Sequence, residues 1–172
     1  MKTVQSNKIN SIMDEAKRQR EQAKVINVEE EKVKLVIFSL AKDYYAFHGS
    51  DVKEILPAGK ITYIPGSPDF ILGVINLRGD IESVLNIHKF LGLPDGKPAG
   101  SRRITIAEKD GIRSGILVDS VEDVIDMPVS SIKPPISTLN DSIKEFVAGE
   151  MAYNNMNITL LDAGKIFKKI TG

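Results

Sequence analysis

The chain has 172 residues and equal numbers of basic and acidic side chains, 23 of each, so its formal net charge is zero. A neutral chain lacks the basic excess with which proteins hold nucleic acid, and a nucleic-acid partner is not expected. The 42% hydrophobic content supports a buried core, and the absence of cysteine excludes disulfides and thiolate metal sites. Without a signal-peptide pattern or an apolar run of about 20 residues, the chain is expected to be cytoplasmic, with no direct membrane insertion.

The first 32 residues are dense in charge and poor in β-branched residues, which indicates an extension outside the main domain. The apolar stripe within it is too thin to stabilise a helix unaided, so residues 1–32 are predicted to be partly helical or disordered. The stripe consists of five residues at helical spacing: Ile9, Ile12, Met13, Ala16 and Ala23.

From residue 33 onward, short runs rich in Val and Ile alternate with turn residues every 8 to 12 positions or so, which is typical of a sandwich or barrel. Helical signals are few and short, and the loop 93–100 separates two β-rich stretches of comparable size. Three hairpins are predicted, 33–40 with 44–47, 102–107 with 112–118, and 146–153 with 156–161. Three short helices are predicted at 51–56, at 86–91 with Gly92 as its end, and at 162–170.

Motifs that carry catalytic chemistry are missing. The two histidines, His48 and His88, each lack a second histidine at metal-binding spacing. The sequence has neither a Gly-x-Ser-x-Gly nucleophile elbow nor the glycine-rich loops that bind phosphates. Apolar residues interrupt the acidic run 119–126, so we interpret it as a strand edge and a solvated bend. We therefore predict no catalytic residue, no metal site and no cofactor, and the chain is not expected to be an enzyme.

The segment 70–80 combines an apolar strand with an interior glycine and a polar turn. Gly73 inside a strand usually marks a bulge or a close backbone approach, and Gly79 can adopt the positive φ of a tight turn. Asn76 and Arg78 alternate along the strand, so both are expected to face one side of it. Arg78 has two interpretations, a recognition residue that holds a carboxylate or carbonyl groups of a partner, or a solvated turn residue.

The sequence of residues 72–79, LGVINLRG, resembles the central motif of the CheW family of bacterial and archaeal chemotaxis coupling proteins. The resemblance covers about 33–167, with departures from the usual pattern at 82–83, at Asn86, where aspartate is frequent, and at His88, where arginine is common. Flanking segments also resemble the family: 38–40 with 45–46, 52–56 as its short connecting helix, 64–68, 115–121 and 160–162.

The family's fold is two five-stranded, SH3-like β-barrels that share a core. The resemblance thus implies a mostly β domain over 33–172 with a few short helices, built from two interleaved barrels divided near 93–101. This agrees with the short strands that the pattern predicts.

The resemblance implies a non-catalytic adaptor. Such proteins couple the cytoplasmic tip of methyl-accepting chemoreceptors to the C-terminal regulatory domain of the chemotaxis histidine kinase and help to control kinase activity. The chain would be associated with the membrane only through receptor complexes. Two alternatives stay open: a paralogous coupling protein of a non-flagellar chemosensory array, serving surface motility or second-messenger output, and a small hydrolase or ligand-binding barrel.

Site residues carry over from the family by position. Val52 and Glu54 match positions associated with receptor contact, and we add Ile55, which would share one face of a short helix with Val52. Simple core packing of these apolar residues is the alternative. No kinase-binding residue is assigned by the resemblance. The motif residues expected near the receptor groove are Gly73, Asn76, Arg78 and Gly79.

Overall fold

The computed structural model describes residues 2–96, 100–136 and 139–172, with the backbone alone for 2–6 and 23–29. The chain divides into two compact units, Met1–Lys32 and Val33–Gly172. The first unit is one helix, α1 (Lys2–Glu29), which spans nearly all of the extension. Three apolar side chains of its stripe are more than half exposed: Ile9, Ile12 and Met13.

The described residues of the second unit form ten strands and three short α-helices. The strands are β1 (Lys32–Leu40), β2 (Asp43–His48), β3 (Val52–Pro57), β4 (Ile71–Leu77), β5 (Asp80–Leu85), β6 (Arg103–Lys109), β7 (Ile112–Val118), β8 (Ser120–Pro128), β9 (Val147–Tyr153) and β10 (Met156–Leu161). The helices are α2 (His88–Leu91), α3 (Asp141–Lys144) and α4 (Ala163–Thr171).

The strands belong to two five-stranded sheets that interleave along the chain. The first sheet has the order β8-β1-β2-β10-β9, and the second has the order β3-β6-β7-β5-β4. The chain leaves the first sheet after β2, forms the second sheet with β3 to β7, and returns to the first sheet at β8. In the first sheet β2 pairs in parallel with β10. The predicted division near 93–101 therefore falls inside the second sheet, between β5 and β6, and residues 97–99 of it lie outside the described residues.

All three predicted hairpins are present as antiparallel pairs, β1 with β2, β6 with β7 and β9 with β10. Their tight turns use positive φ angles, as at Asn154 (46°) and Asn155 (61°), which suits the right-handed twist of the flanking strands. Gly92 ends α2 in the left-handed conformation, and the Asp162 side chain caps α4 by accepting from the Lys165 backbone N–H.

The predicted helix at 51–56 is wrong. Gly49–Asp51 forms one 3-10 turn, and the chain then enters β3, which pairs with β6. Val52, Ile55 and Leu56 suit a pleated, half-buried strand. A pattern of only five or six residues cannot distinguish a helix from a strand, and here the pairing with β6 determines that the segment is a strand.

Three apolar clusters fill the second unit. The largest lies between the sheets and combines Phe38 and Phe47 of the first sheet with Leu85 and Ile116 of the second and Phe167 of α4. A second cluster lies on the other face of the first sheet, and a third on the other face of the second sheet. The mostly β fold with two five-stranded sheets around a shared core is thus confirmed, and neither ladder closes into a ring among the described residues.

Candidate functional site

The turn between β4 and β5 presents the arginine of the central motif. Leu77 pairs with Asp80, so the loop has two residues, Arg78 at φ 52° and Gly79 at φ 90°. Positive φ at both positions defines a type I′ turn, which glycine adopts without strain and arginine adopts at a cost. The Asn76 side-chain oxygen accepts a hydrogen bond of 2.9 Å from the Gly79 N–H and holds this turn in place.

Arg78 is fixed by a two-pronged ion pair with Glu54 of β3. Its Nη2 lies 2.6 Å from Glu54 Oε1, and its Nη1 donates to Oε2 at 3.1 Å. The arginine side chain is 76% exposed, whereas the glutamate side chain is 24% exposed. Since β3 and β4 are the two edge strands of the second sheet, the pair links opposite edges of that sheet.

The prediction that Asn76 and Arg78 face the same side is wrong. Asn76 pairs with Ile81, while its neighbours Ile75 and Leu77 pack against the third cluster on the opposite face. The strand ends at Leu77, so alternation no longer applies to Arg78, which turns toward Glu54 on the face of the third cluster.

Val52 and Ile55 share one face, as predicted, but they do so in a β-strand and not in a short helix. Val52 pairs with Ala107 and Ile55 with Thr105, two residues apart on β6, so both point to the same face. A β-bulge between Val52 and Glu54 supplies the extra residue that a regular strand would not allow. The two apolar residues are half-buried, and Val52 packs against the inter-sheet cluster.

Glu54 points to the other face, because its partner on β6 is Ile106 of the third cluster. The structure therefore divides the predicted contact residues of β3 between the two faces of the sheet. Val52 and Ile55 lie on one face, and Glu54 with Arg78 lies on the other.

Gly73 is a buried structural position. A β-carbon added there would meet the Thr62 carbonyl oxygen at 2.2 Å, and the residue has φ 148°. Thr62 and Val74 exchange two backbone hydrogen bonds, 2.8 and 2.9 Å, so the loop after β3 lies directly on β4. Both sequence-based interpretations of Gly73 hold, because a bulge between Ile71 and Gly73 accompanies the close approach.

A second Arg–Glu pair on the same sheet was missed by sequence reasoning. Arg113 Nε lies 2.9 Å from Glu82 Oε1, and Glu82 is buried, with 8% of its surface exposed. Glu82 pairs with Ile75 and therefore shares the face on which Glu54 lies. The sequence did hold a signal for this pair: residues 82–83 depart from the family pattern, which often has an apolar residue and proline there.

One ion pair stands beside β3. Lys109 Nζ donates to Asp51 Oδ1 at 3.2 Å, and this hydrogen bond, with the attraction of the Asp51 carboxylate, raises the pKa of Lys109. Asp51 is buried and precedes Val52, so the pair fixes the entry of the chain into β3.

No group of three or more His, Cys, Asp or Glu side chains suited to a metal ion occurs among the described residues. Within the same residues, no helix combines the length and apolar character needed to cross a membrane.

The comparisons with known proteins agree with one another. Residues 34–171 match the family model described as CheW-like domain. The chemotaxis protein CheW of Bacillus subtilis is 33% identical over 140 residues, 79% of this chain and 87% of that protein. The chemotaxis protein CheW of Helicobacter pylori is 26% identical over 162 residues, 93% of this chain and 98% of that protein.

A solved structure also matches. It is the crystal structure of the scaffolding protein TtCheW from Thermoanaerobacter tengcongensis, with 36% identity and a TM-score of 0.70. The match covers 77% of this chain and 86% of that one.

Two interleaved five-stranded sheets, matched by the structure of a scaffolding protein at 36% identity, place this chain in the scaffold class. The chain belongs to the CheW-like family. The resemblance found in the sequence is thereby confirmed, and with it the prediction of a chemotaxis coupling adaptor.

Proposed function

We propose that this chain couples chemoreceptor signalling tips to the C-terminal regulatory domain of the chemotaxis histidine kinase, without chemistry of its own. It would act in the cytoplasm and be held near the membrane by receptor complexes alone. Family membership supports the adaptor role, and the Arg78–Glu54 pair is the observation that carries the proposed receptor site.

Arg78 is suited to recognition because its guanidinium is held in place before a partner arrives. A guanidinium has five N–H donors, and Glu54 accepts from only two of its nitrogens. The remaining donors lie on a side chain that is 76% exposed. A receptor carboxylate or backbone carbonyl could therefore bind Arg78 without a large loss of side-chain entropy.

The apolar part of the proposed site lies around the β3 edge. Val52 and Ile55 face one side of this edge strand, and Glu54 faces the other. A receptor tip is a helical hairpin, and a helix that contacts both sets must lie along β3 itself. Asn76 and Gly79 support the site by shaping the turn, and Gly73 supports it by seating the loop on β4.

The test measures binding of a receptor signalling-tip fragment and, separately, of the kinase regulatory domain. Arg78→Ala should weaken receptor binding at least tenfold, about 1.4 kcal/mol. Kinase-domain binding should stay within error, and the melting temperature should fall by no more than about 4 °C, because Arg78 is exposed and its ion pair adds at most about 1 kcal/mol.

Lys34→Ala is the matched control. Lys34 is another exposed cation bound to a carboxylate, Asp126, but it belongs to the first sheet. Equal losses for Arg78→Ala and Lys34→Ala, or no loss for either, would remove Arg78 from the proposed site.

A second pair of variants separates the two faces of β3. Ile55→Ser removes an apolar side chain from one face of β3. Glu54→Gln keeps the shape of the side chain on the other face and removes its negative charge. If the receptor lies along the β3 edge, both should weaken binding, and Glu54→Gln combined with Arg78→Ala should cost less than the sum of their separate losses. Loss for one variant only would place the receptor on a single face.

A further inference from the structure

An ion pair from β6 holds the entry of the chain into β3. Asp51 is the last residue of the 3-10 turn before this strand and has 6% of its surface exposed. Lys109, the last residue of β6, donates from Nζ to Asp51 Oδ1 at 3.2 Å. A buried carboxylate is costly without a cation, so the position of Asp51 depends on a residue 58 positions later in the chain.

The C-terminal helix α4 holds the lysine from a second direction. Gly164 lies in the first turn of α4 and is buried, and a β-carbon added there would meet Lys109 Cγ at 3.3 Å. The aliphatic part of the lysine therefore lies against the backbone of α4. Because this contact confines the side chain, its ion pair with Asp51 costs less side-chain entropy than a pair between two free side chains.

Three carboxylates attract the same ammonium group. Its hydrogen bond with Asp51 and the charge of that carboxylate are the main causes of the raised pKa of Lys109. Two further carboxylates add smaller contributions, that of Asp110 in the β6–β7 turn and that of Asp162, which caps α4. An uncharged side chain at position 109 would leave these three anions without their common cation, and the buried one, Asp51, would then be drawn toward solvent.

The strand that follows Asp51 starts with a bulge. Val52 and Lys53 together oppose Ala107 of β6, so Lys53 is an extra residue in the ladder. Lys53 donates from Nζ to the Ser50 carbonyl at 3.2 Å, which directs its side chain back toward the 3-10 turn. Backbone pairing alone does not decide where along a strand an extra residue stands. Here the ion pair holds Asp51 beside the end of β6, and Val52 is thereby held opposite Ala107.

We propose that Asp51 and Lys109 are positioning residues of the receptor site, an inference that rests on the proposed function. Their ion pair fixes the bulge and thereby the face of β3 on which Val52 lies. If the pair is broken, the strand can form without the bulge, and a shift of one residue turns Val52 to the face of Glu54. The edge would then lose the apolar face that Val52 shares with Ile55.

NMR of Lys109→Met tests the bulge, since methionine keeps most of the lysine's aliphatic length and removes its charge. The cross-strand nuclear Overhauser contact between Val52 and Ala107 should be lost in this variant. The contact between Leu56 and Ile104, farther along the same pair of strands, should remain and is the internal reference. Lys109→Arg should keep both contacts, because a guanidinium can pair with the same carboxylate. A persistent contact between Val52 and Ala107 in Lys109→Met would overturn the inference.

Binding of a receptor signalling-tip fragment tests the consequence. Lys109→Met should weaken this binding by about tenfold, and Lys109→Arg should restore it. Kinase-domain binding should not change, whereas a general loss of stability would weaken both. Lys144→Met is the matched control, because the Lys144 side chain is 40% exposed, against 41% for Lys109, and pairs with Asp141 in α3. This control should change receptor binding by less than about twofold.

Arg78→Ala and Ile55→Ser in the same assay separate a failure of the positioning role from a failure of the receptor site. If these two variants weaken receptor binding and Lys109→Met does not, the positioning role is wrong and the receptor site stands. If none of the three weakens it, the receptor site itself is wrong. Equal losses for Lys109→Met and Lys144→Met would also overturn the positioning role, because they would report only the loss of a positive charge.

Discussion

The two sheets have the same number of strands but differ in the polarity of the faces they turn away from the shared core. On the first sheet this face carries the second cluster, whose buried members are all apolar: Leu35, Ile37, Ala46, Met127, Met151, Ile158 and Leu160. On the second sheet the corresponding face carries fewer buried apolar residues and two Arg–Glu pairs, Glu54 with Arg78 and Glu82 with Arg113.

This difference separates stability from recognition. Burial of an apolar face stabilises the fold through an effect that does not depend on the direction of contacts. Paired charges add little net stability, but their fixed geometry makes a surface specific for a partner. The proposed receptor residues all lie on the second sheet or its turn. If this comparison is right, variants of the first sheet should act mainly on stability, and variants of the exposed Glu54–Arg78 pair mainly on binding.

The largest effect is expected at Gly73. Gly73→Ala places a β-carbon 2.2 Å from the Thr62 carbonyl oxygen at a φ of 148°, so the loop must leave β4. The free energy of unfolding should fall by about 2–4 kcal/mol, measured by urea titration. Gly59→Ala, in the same loop with no atom within 4 Å, should change it by less than about 0.5 kcal/mol. A mild Gly73→Ala would mean that this loop is not held against the sheet.

The region around Gly73 and Arg78 shows which features could be predicted from the sequence and which could not. A glycine inside a strand pointed to a bulge or a close approach, and the turn after Arg78 was expected, because both are local consequences of backbone geometry. The partner of Arg78 was not foreseen, since Glu54 lies 24 residues earlier and meets it only when the sheet curls. The face of Ile55 likewise depends on a bulge set by pairing with β6, which no local pattern encodes.

An alkaline titration probes the first sheet. Burial, with a smaller contribution from the Asp43 carboxylate, raises the pKa of Tyr45 to about 12. Because the unfolded phenol ionises near pH 10, the native state should lose stability as the pH rises from about 10 to 12, by about 2–3 kcal/mol. Absorbance of tyrosinate should show a late component that Tyr45→Phe removes, beside that of Tyr153, whose hydrogen bond to Asp123 also raises its pKa. A Tyr45 transition near pH 10 would contradict this burial effect.

Arg113→Ala probes the more buried charged pair of the second sheet. It leaves the Glu82 carboxylate, 8% exposed, without its cation, and should lower the free energy of unfolding by about 1–3 kcal/mol. Adding Glu82→Leu should recover most of this loss, because an apolar residue suits the buried position beside Ile75. If the double variant recovers none of the loss relative to the unaltered protein, the pair itself stabilises the sheet, and the proposed separation of roles fails there.

The smallest effect on stability is expected from the exposed ion pairs, and it allows one pair of each sheet to be compared. A double-mutant cycle for Glu54 and Arg78 should give a coupling free energy of about 0.5–1 kcal/mol, since the contact is two-pronged and Glu54 is largely shielded. The same cycle for Lys34 and Asp126, both more than half exposed with one bond of 3.1 Å, should give no more than about 0.3 kcal/mol. A Glu54–Arg78 coupling as weak as that of the first sheet would mean that the guanidinium is not held in place. Arg78 would then meet its partner at the full entropic cost of an unrestrained side chain, and the reason for placing recognition on the second sheet would be lost.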